Sequence, residues 1–582
     1  MSLIILLLIC FSVHATESLE QIEVTASKQS TNYNFTQTET VNAEDFETLP
    51  APFLSQALER VPGLTSSQNG GPGGRTTFFI RGTESRHISF TLDGLKLNDP
   101  SSTDRQFDAA FLSLTGIEEI RVHKGPQAVL FGSDAMGGHV EMLTRKGSDK
   151  PEKKLTLNAG SFGTLGATYQ HDWSKGTLSF VKQRTDGISR FNEKRFGATE
   201  RDGSETTQLM SSSRHEFFNK THTDLLGSFV EGRNELDITS DNGSEHGLSR
   251  QYLVQQKTSY QASKENAFSL RTGLNRNERS IKSLTTGTTD FAGNLFQNEL
   301  LYENGNDDRR ILAGVVGERE TLQVDKKKSF DLGGIFLQGL KRLGDFTLQG
   351  GLRGDHHSRY GNFGTGSAGV EMKKNIGTFG VQYSRGYKAP SLFQLFDPNF
   401  GNDDLKPEIN QSSEASWKKK FKSFDAEFVA FQSKLSNLIV FTGSGYRNQG
   451  RFISEGVEPS LKWTGEKFQL RGSYTHLAFR EVEVPVLRRP YNSGQFSASW
   501  FPSDISELFA RLRWYDSRKD VDFNGKTVKL NSFETMDVGA VYRMGRHTFS
   551  AQIVNITNRE YEEIFGFSVM PRSVFGNYSV TF

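Results

Sequence analysis

Few residues in this chain could act as nucleophiles, and the side chains able to do chemistry mostly offer oxygen or amide groups. The 582 residues contain one cysteine. It is Cys10, inside an N-terminal apolar run, with Ile9 where lipidation would need a small residue. Without that run no thiol remains, so Cys nucleophiles, Cys-ligated zinc and disulfides are excluded. The histidines show no metal-ligand spacing. The adjacent pair His356-His357 follows an alternating stretch that would send its rings to opposite faces. Gly70-Gly71-Pro72-Gly73-Gly74-Arg75-Thr76 is glycine-rich but lacks the Lys-Ser/Thr ending of a phosphate loop. No Ser and His spacing supports a lipase-like nucleophile. Acidic oxygens remain. Glu200 and Asp202, with Asp237 and Asp241 further along, could gather ligands for calcium, although Arg201 interrupts the first pair and solvated turns use the same residues. The chain reads as a binder, with no catalytic residues.

The surrounding elements fall into two textures. Net charge is +1 and apolar residues make up 35%, so nothing global points to nucleic acid. No run of eighteen apolar residues exists to make a membrane helix. A membrane barrel escapes that test, because its strands alternate lipid-facing and lumen-facing residues. Ser2 to Val13, followed by Val13-His14-Ala15, reads as a signal peptide over 1–15, although no Lys or Arg precedes its apolar core. From 16 to 147 the chain mixes a short helix with strands. Phe53, Leu54, Ala57, Leu58 and Val61 recur at helical spacing before Pro62-Gly63. Strands are predicted at Thr76–Gly82, Ile88–Leu92, Ile117–His123 and His139–Thr144, giving a small α+β domain.

From 148 onward alternation dominates. Phe268, Leu270 and Leu274 oppose Ser269, Arg271 and Asn275, and Leu508 and Leu512 oppose Phe509, Arg511 and Arg513. Asp186-Gly187, Asp202-Gly203 and Asn524-Gly525 predict hairpin turns. Strands of about ten residues suit a tilted membrane strand, and a soluble sheet this long would leave edges to protect. The last residues, Gly576 to Phe582, form an alternating strand ending on phenylalanine. An antiparallel transmembrane barrel is the reading that satisfies these features together.

Several stretches resemble one family. Leu58-Glu59-Arg60-Val61-Pro62-Gly63-Leu64, Phe79-Ile80-Arg81-Gly82 and Leu92-Asp93-Gly94 look like the plug of TonB-dependent outer-membrane receptors. So do Ile117-Glu118-Glu119-Ile120-Arg121-Val122, Lys124-Gly125-Pro126 and Leu130 to Gly138. Ser384 to Leu392, Leu405-Lys406-Pro407-Glu408 and Val554 to Tyr561 resemble the family's barrel signatures. The resemblance implies an all-β barrel of about 22 antiparallel strands over 148–582, in the outer membrane of a Gram-negative bacterium. It also implies a plug over 38–147 inside the lumen and an N-terminal segment over 16–37.

Within that segment, Gln21-Ile22-Glu23-Val24-Thr25-Ala26-Ser27 resembles the TonB box. Chemically it is an extended, β-prone stretch able to add to a partner's sheet edge; a disordered tail or a first plug strand would look the same. The implied partner is a TonB-type energy-transducing protein of the inner membrane, because the outer membrane has neither nucleotide nor a maintained ion gradient. Arg81, Glu118, Glu119, Arg121 and Lys124 are candidates for ion pairs between plug and wall. By resemblance, ligand rests on Gln68, Asn69 and Gly70 and on Asn98, Asp99, Ser101 and Ser102. The compact run Arg81 to His87 looks most like the cobalamin receptor, whose acidic loops hold calcium. A ferric-siderophore receptor of the same family is the alternative ligand reading, and a passive porin or adhesin is the alternative of another class. A monomer in outer-membrane lipid is expected.

Overall fold

The computed structural model describes residues 37–46, 48–49, 53–218, 220–237, 245–306, 308–323 and 327–582. The predicted signal peptide, the stretch Gln21 to Ser27 and Asp241 lie outside the described residues.

The N-terminal domain is built on β1 (Thr38–Asn42), α1 (Ala43–Phe46), α2 (Leu54–Leu58), β2 (Leu64–Gln68) and β3 (Thr76–Ile80). It continues with β4 (Ile88–Leu92), β5 (Leu95–Lys96), β6 (Ile117–Lys124), α3 (Ala128–Phe131) and β7 (Gly138–Thr144). A five-stranded sheet runs in the order β1-β6-β7-β4-β5, while β2 and β3 form a separate hairpin. Among the described strands, only the β4–β7 contact is parallel. Leu54, Ala57, Leu58 and Val61 are buried against Phe78, Ile80 and Phe90, as their helical spacing predicts. The helix is shorter than that spacing suggests. Arg60 N bonds Ala57 O and Val61 N bonds Leu58 O, a tightened last turn, and Pro62 offers no N–H to continue it.

Twenty-two strands close around this domain. Closure is made where the last strand, Ser573–Thr581, pairs antiparallel with the first, Glu152–Gly160. No edge is left, so every ladder group can be satisfied within lipid. Leu270 is 52% exposed on the outer face, whereas Arg271 beside it is 2% exposed and faces the bore. Outward-facing Phe346, Phe468, Trp500 and Tyr542 lie near one rim, forming an aromatic band of the kind that marks a membrane interface. Connections at that rim are short (174–175, 344–345, 545–546), and those at the opposite rim include 389–407, 516–532 and 555–572. Short turns mark the periplasmic side and long loops the extracellular side.

Two sequence expectations are corrected. Strands range from 8 residues (His547–Val554) to 19 (Gly287–Gly305), so one wall stands well above the lipid and its outer face turns polar there, at Arg276 and Glu278. Asp186-Gly187 is not a hairpin turn. It lies in the strand Gly176–Ile188, where the register slips between Thr185 and Ile188, and Asp186 N bonds Phe162 O in the neighbouring turn. The extra residue is absorbed as a bulge. Asp202-Gly203 likewise opens a strand, whereas Asn524-Gly525 does turn a hairpin between Arg518–Val521 and Thr527–Leu530.

The lipid-facing assignment is testable at Ile335, which is 65% exposed on the strand Lys327–Leu343. Ile335→Arg should cost roughly 2–4 kcal/mol if that position sits near the bilayer midplane. Urea titration of protein refolded into phosphatidylcholine vesicles measures this, and an unchanged midpoint would place the residue outside lipid.

Candidate functional site

The plug is held by charged groups that cross to the wall. β3 ends in a turn at Arg81 (φ 52) and Gly82 (φ 82). A Cβ on Gly82 would come within 2.6 Å of Ser454 Oγ and 2.7 Å of the Phe479 ring, so only glycine lets the turn approach the wall this closely. The turn drives the Arg81 side chain between two barrel strands. Arg81 lies 2.5 Å from Glu414 and 3.1 Å from Glu458, and also donates to Gln37 Oε1 at 2.9 Å. Burial alone would depress this guanidinium, but the two carboxylate charges overcome it and hold Arg81 above its ordinary range. Lys124 stands 3.7 Å from Glu458. Nearby, Arg86 (3.4 Å) and His87 (3.2 Å) share Glu408. Burial pushes the His87 imidazole below its usual value despite that carboxylate.

A second buried knot binds the other side of the plug. Arg105 meets Asp134 and Glu320, each at 2.9 Å, and Lys388 meets Asp134 at 2.8 Å. Lys96 pairs with Glu318 at 2.8 Å. Burial opposes ionisation of Asp134, and the charges of Arg105 and Lys388 reverse the balance, keeping its carboxyl well below the usual range. Asp134 and Lys388 both lie in stretches that carry the family resemblance, but sequence reading gave them no role. Nothing in the sequence places them side by side.

The remaining candidates for wall contact are placed differently. Arg121 pairs along its own sheet, with Glu119 at 2.5 Å and Glu141 at 3.8 Å. Glu118 is exposed. Alternation places Glu119 and Arg121 on one face of β6, whereas Glu118 stands at the register slip between Ile117 and Glu119, where the strand bulges.

The outer end of the plug carries the loops expected to meet ligand. Gln68 N donates to Glu563 Oε2 at 2.9 Å. The carbonyls of Asn69 and Gly70 accept from Arg190 Nη1 at 2.9 and 3.3 Å. Gly70 has φ 65, and a Cβ there would strike the Arg190 backbone at 2.8 Å. In the second loop, Asn98 is spent on internal bracing, donating to Arg105 O at 3.0 Å and accepting from Phe90 N at 3.2 Å. Asp99 accepts from Ser101 N and Ser101 Oγ, both at 2.7 Å, and faces Arg279 at 3.3 Å. Ser102 Oγ donates to Asp99 O at 2.9 Å. Arg75, Asp104 and Asp108 complete this end, with Arg75 and Asp104 3.4 Å apart.

Arg190, which sequence reading did not single out, joins this loop to the acidic residues. Its backbone N donates to Asp202 Oδ2 at 2.6 Å, Phe191 N donates to Asp237 Oδ2 at 3.1 Å, and Arg190 Nε donates to Glu235 O at 2.5 Å. Glu200, Asp202 and Asp237 each bring a carboxylate oxygen within 4.8 Å of the others. Asp202 is 2% exposed, and its Oδ1 has no hydrogen-bond partner among the described residues. Carboxylates crowded this way suit a hard cation.

Between the plug and the wall on the side of Ser506–Tyr515 lies a cavity of about 730 Å³, lined by Thr48, Arg60, Arg511 and Tyr561 among others. Plug, crossing charges, long-loop rim and side cavity together describe a stoppered pore.

Two family descriptions match the chain. The plug domain of TonB-dependent receptors matches residues 28–139, and the TonB-dependent receptor-like β-barrel matches residues 150–558. The chain belongs to the TonB-dependent receptor family. It is thus a transporter of the Gram-negative outer membrane that takes up a small molecule, and not an enzyme. Among similar solved structures is the siderophore receptor PirA from Acinetobacter baumannii, with TM-score 0.81, 15% identity, and 94% of this chain and 98% of that one covered. The FrpB iron transporter from Neisseria meningitidis aligns with TM-score 0.80 and 13% identity over 94% and 99%. A mutant ferric enterobactin receptor, PfeA, from Pseudomonas aeruginosa in complex with enterobactin aligns with TM-score 0.78 and 15% identity over 96% and 100%. At such identities the likeness concerns the fold.

The Arg81 contact generates a direct prediction. Arg81→Ala leaves Glu414 and Glu458 facing each other in a buried setting, a loss of roughly 3–5 kcal/mol in plug anchoring. Calorimetry should show the plug transition falling while the barrel transition holds. An unmoved plug transition would remove Arg81 from the anchoring role.

Proposed function

We propose that this receptor imports cobalamin, using work delivered by a TonB-type inner-membrane protein through the stretch Gln21 to Ser27. The observation that carries the ligand reading is the charge of the plug's outer end. Asp99, Asp104 and Asp108 stand there against Arg75 and Arg279. Paired in this way, Arg75 and Arg279 offer little free positive charge to a strongly anionic ferric chelate, whereas an amide-rich corrin would find backbone carbonyls and hydroxyls. The acidic trio Glu200, Asp202 and Asp237 would hold calcium, and Asp241 follows it in sequence. Bore and stopper close within one chain, which supports action as a monomer. The plug argues against a passive porin.

A ferric-siderophore reading has support of its own. Phe291, Phe393 and Tyr446 follow one another at ring distances of 6.3 and 6.5 Å, a surface that an aromatic chelate could stack upon. The names of the structural neighbours point the same way.

One experiment separates these readings. Purified protein is titrated with cobalamin and with ferric enterobactin, with calcium and with a chelator, and cells carrying a Gln21–Ser27 deletion are assayed for uptake. Cobalamin should bind the more tightly, and the chelator or Asp202→Asn should weaken it at least tenfold. The deletion should preserve binding and abolish uptake. Saturation by the ferric chelate alone would overturn the ligand, and uptake surviving the deletion would overturn energised import.

A further inference from the structure

Four arginines that cross between plug and wall meet a carboxylate, and Arg190 meets backbone carbonyls. Arg81 reaches Glu414, Arg105 reaches Glu320, Arg489 reaches Glu84 and Arg513 reaches Glu59. Arg60, after α2, and Arg511, on the facing strand Ser506–Tyr515, do not: no carboxylate lies within 4 Å of either among the described residues. Both turn instead onto Thr48. Arg60 Nη1 donates to Thr48 Oγ1 at 2.9 Å and Nη2 to Thr48 O at 3.0 Å. Arg511 Nη2 donates to the same Oγ1 at 2.6 Å and Nη1 to the same O at 3.4 Å.

Each guanidinium thus presents its two-pronged fork to one pair of oxygens. That is the geometry in which arginine grips a carboxylate or a phosphate. Thr48 supplies the oxygen pair but no charge, so two like charges share a neutral acceptor. Burial depresses the Arg60 guanidinium well below its ordinary value, and the charge of Arg511 depresses it further. Neighbouring acids do not relieve the pair at close range. Asp45 accepts from Asn42 N at 3.1 Å and Asp537 from Asn555 N at 2.8 Å. Glu59 faces Arg513 at 3.2 Å and Glu507 faces Arg543 at 3.9 Å. The two guanidiniums and Thr48 all border the side cavity, so a solute inside it can reach them.

We propose that Arg60 and Arg511 form a binding site for an oxyanion, phosphate or carboxylate, in the seam between plug and wall, and that the oxyanion and Thr48 compete for the same two forks. Thr48 lies two residues past α1, so occupancy of the site frees Thr48 from Arg511 and loosens the α1 segment, which keeps the bond from Asn577 Nδ2 to Leu49 O. The proposal stands on this geometry and not on which molecule the receptor imports. The oxyanion could come from solution or be carried on the imported molecule, and a small phosphodiester distinguishes the two.

The test is amide hydrogen exchange across residues 43–58 of the full-length protein. It is run in inorganic phosphate, in dimethyl phosphate and in chloride at equal ionic strength. Phosphate should speed exchange in this segment several-fold over chloride, and Arg511→Gln should abolish the difference. Thr48→Val keeps both arginines and removes the competing hydroxyl, so it should respond at several-fold lower phosphate; it also serves as the test should Arg511→Gln not fold. A response to dimethyl phosphate as well assigns the site to a group on the transported molecule, and a response to inorganic phosphate alone assigns it to free anion. Equal exchange in phosphate and chloride would overturn the site, as would a wild-type response in Arg511→Gln or a Thr48→Val response no more sensitive than wild type.

Discussion

A β-sheet can cross lipid only if it has no edge, because an unpaired backbone group in hydrocarbon costs several kcal/mol. Closure of Ser573–Thr581 on Glu152–Gly160 meets that requirement, and the rest of the molecule follows from it. A closed sheet of twenty-two strands encloses a bore. The alternation that presents leucine and phenylalanine to lipid presents arginine, glutamate and asparagine to that bore. A wide polar bore would leak, so it must be filled, and the filler must itself be polar where it meets the wall.

This matching explains why so many charges are buried between the two domains. Paired buried charges add little net stability, because desolvation nearly cancels their attraction. Their merit here is that they can be broken and remade in water. A greasy interface between plug and wall would set hard. The ionic contacts are also uneven: Arg81 and Arg105 anchor the plug through dense carboxylate networks, while the Arg60–Thr48–Arg511 contact across the side cavity has no carboxylate within 4 Å among the described residues.

How much of this was legible beforehand depended on the range of the interaction. Strand alternation and the helix before Pro62 are local, and both appear where the residues predicted them, although α2 closes at Leu58 and a tightened turn carries the chain on to Val61. The Asp186-Gly187 signal failed because the same dipeptide serves a turn or a bulge, and only the partner strand decides which. Arg81 could be suspected from its motif, but Glu414 and Glu458 lie hundreds of positions away and nothing local marks them. Arg190 sits in an unremarkable loop; its role exists only because Gly70 comes up against it. Glu118, Glu119 and Arg121 looked alike in sequence, but Glu119 and Arg121 pair with each other while Glu118 is exposed at a register slip in β6.

The claim beneath everything is that the plug stoppers an otherwise open, membrane-closed bore. Single-protein conductance in a planar bilayer measures this directly. The account predicts an electrically silent full-length protein and a steady, ohmic channel once residues 38–147 are excised. A full-length protein that conducts as freely as the emptied barrel would contradict it.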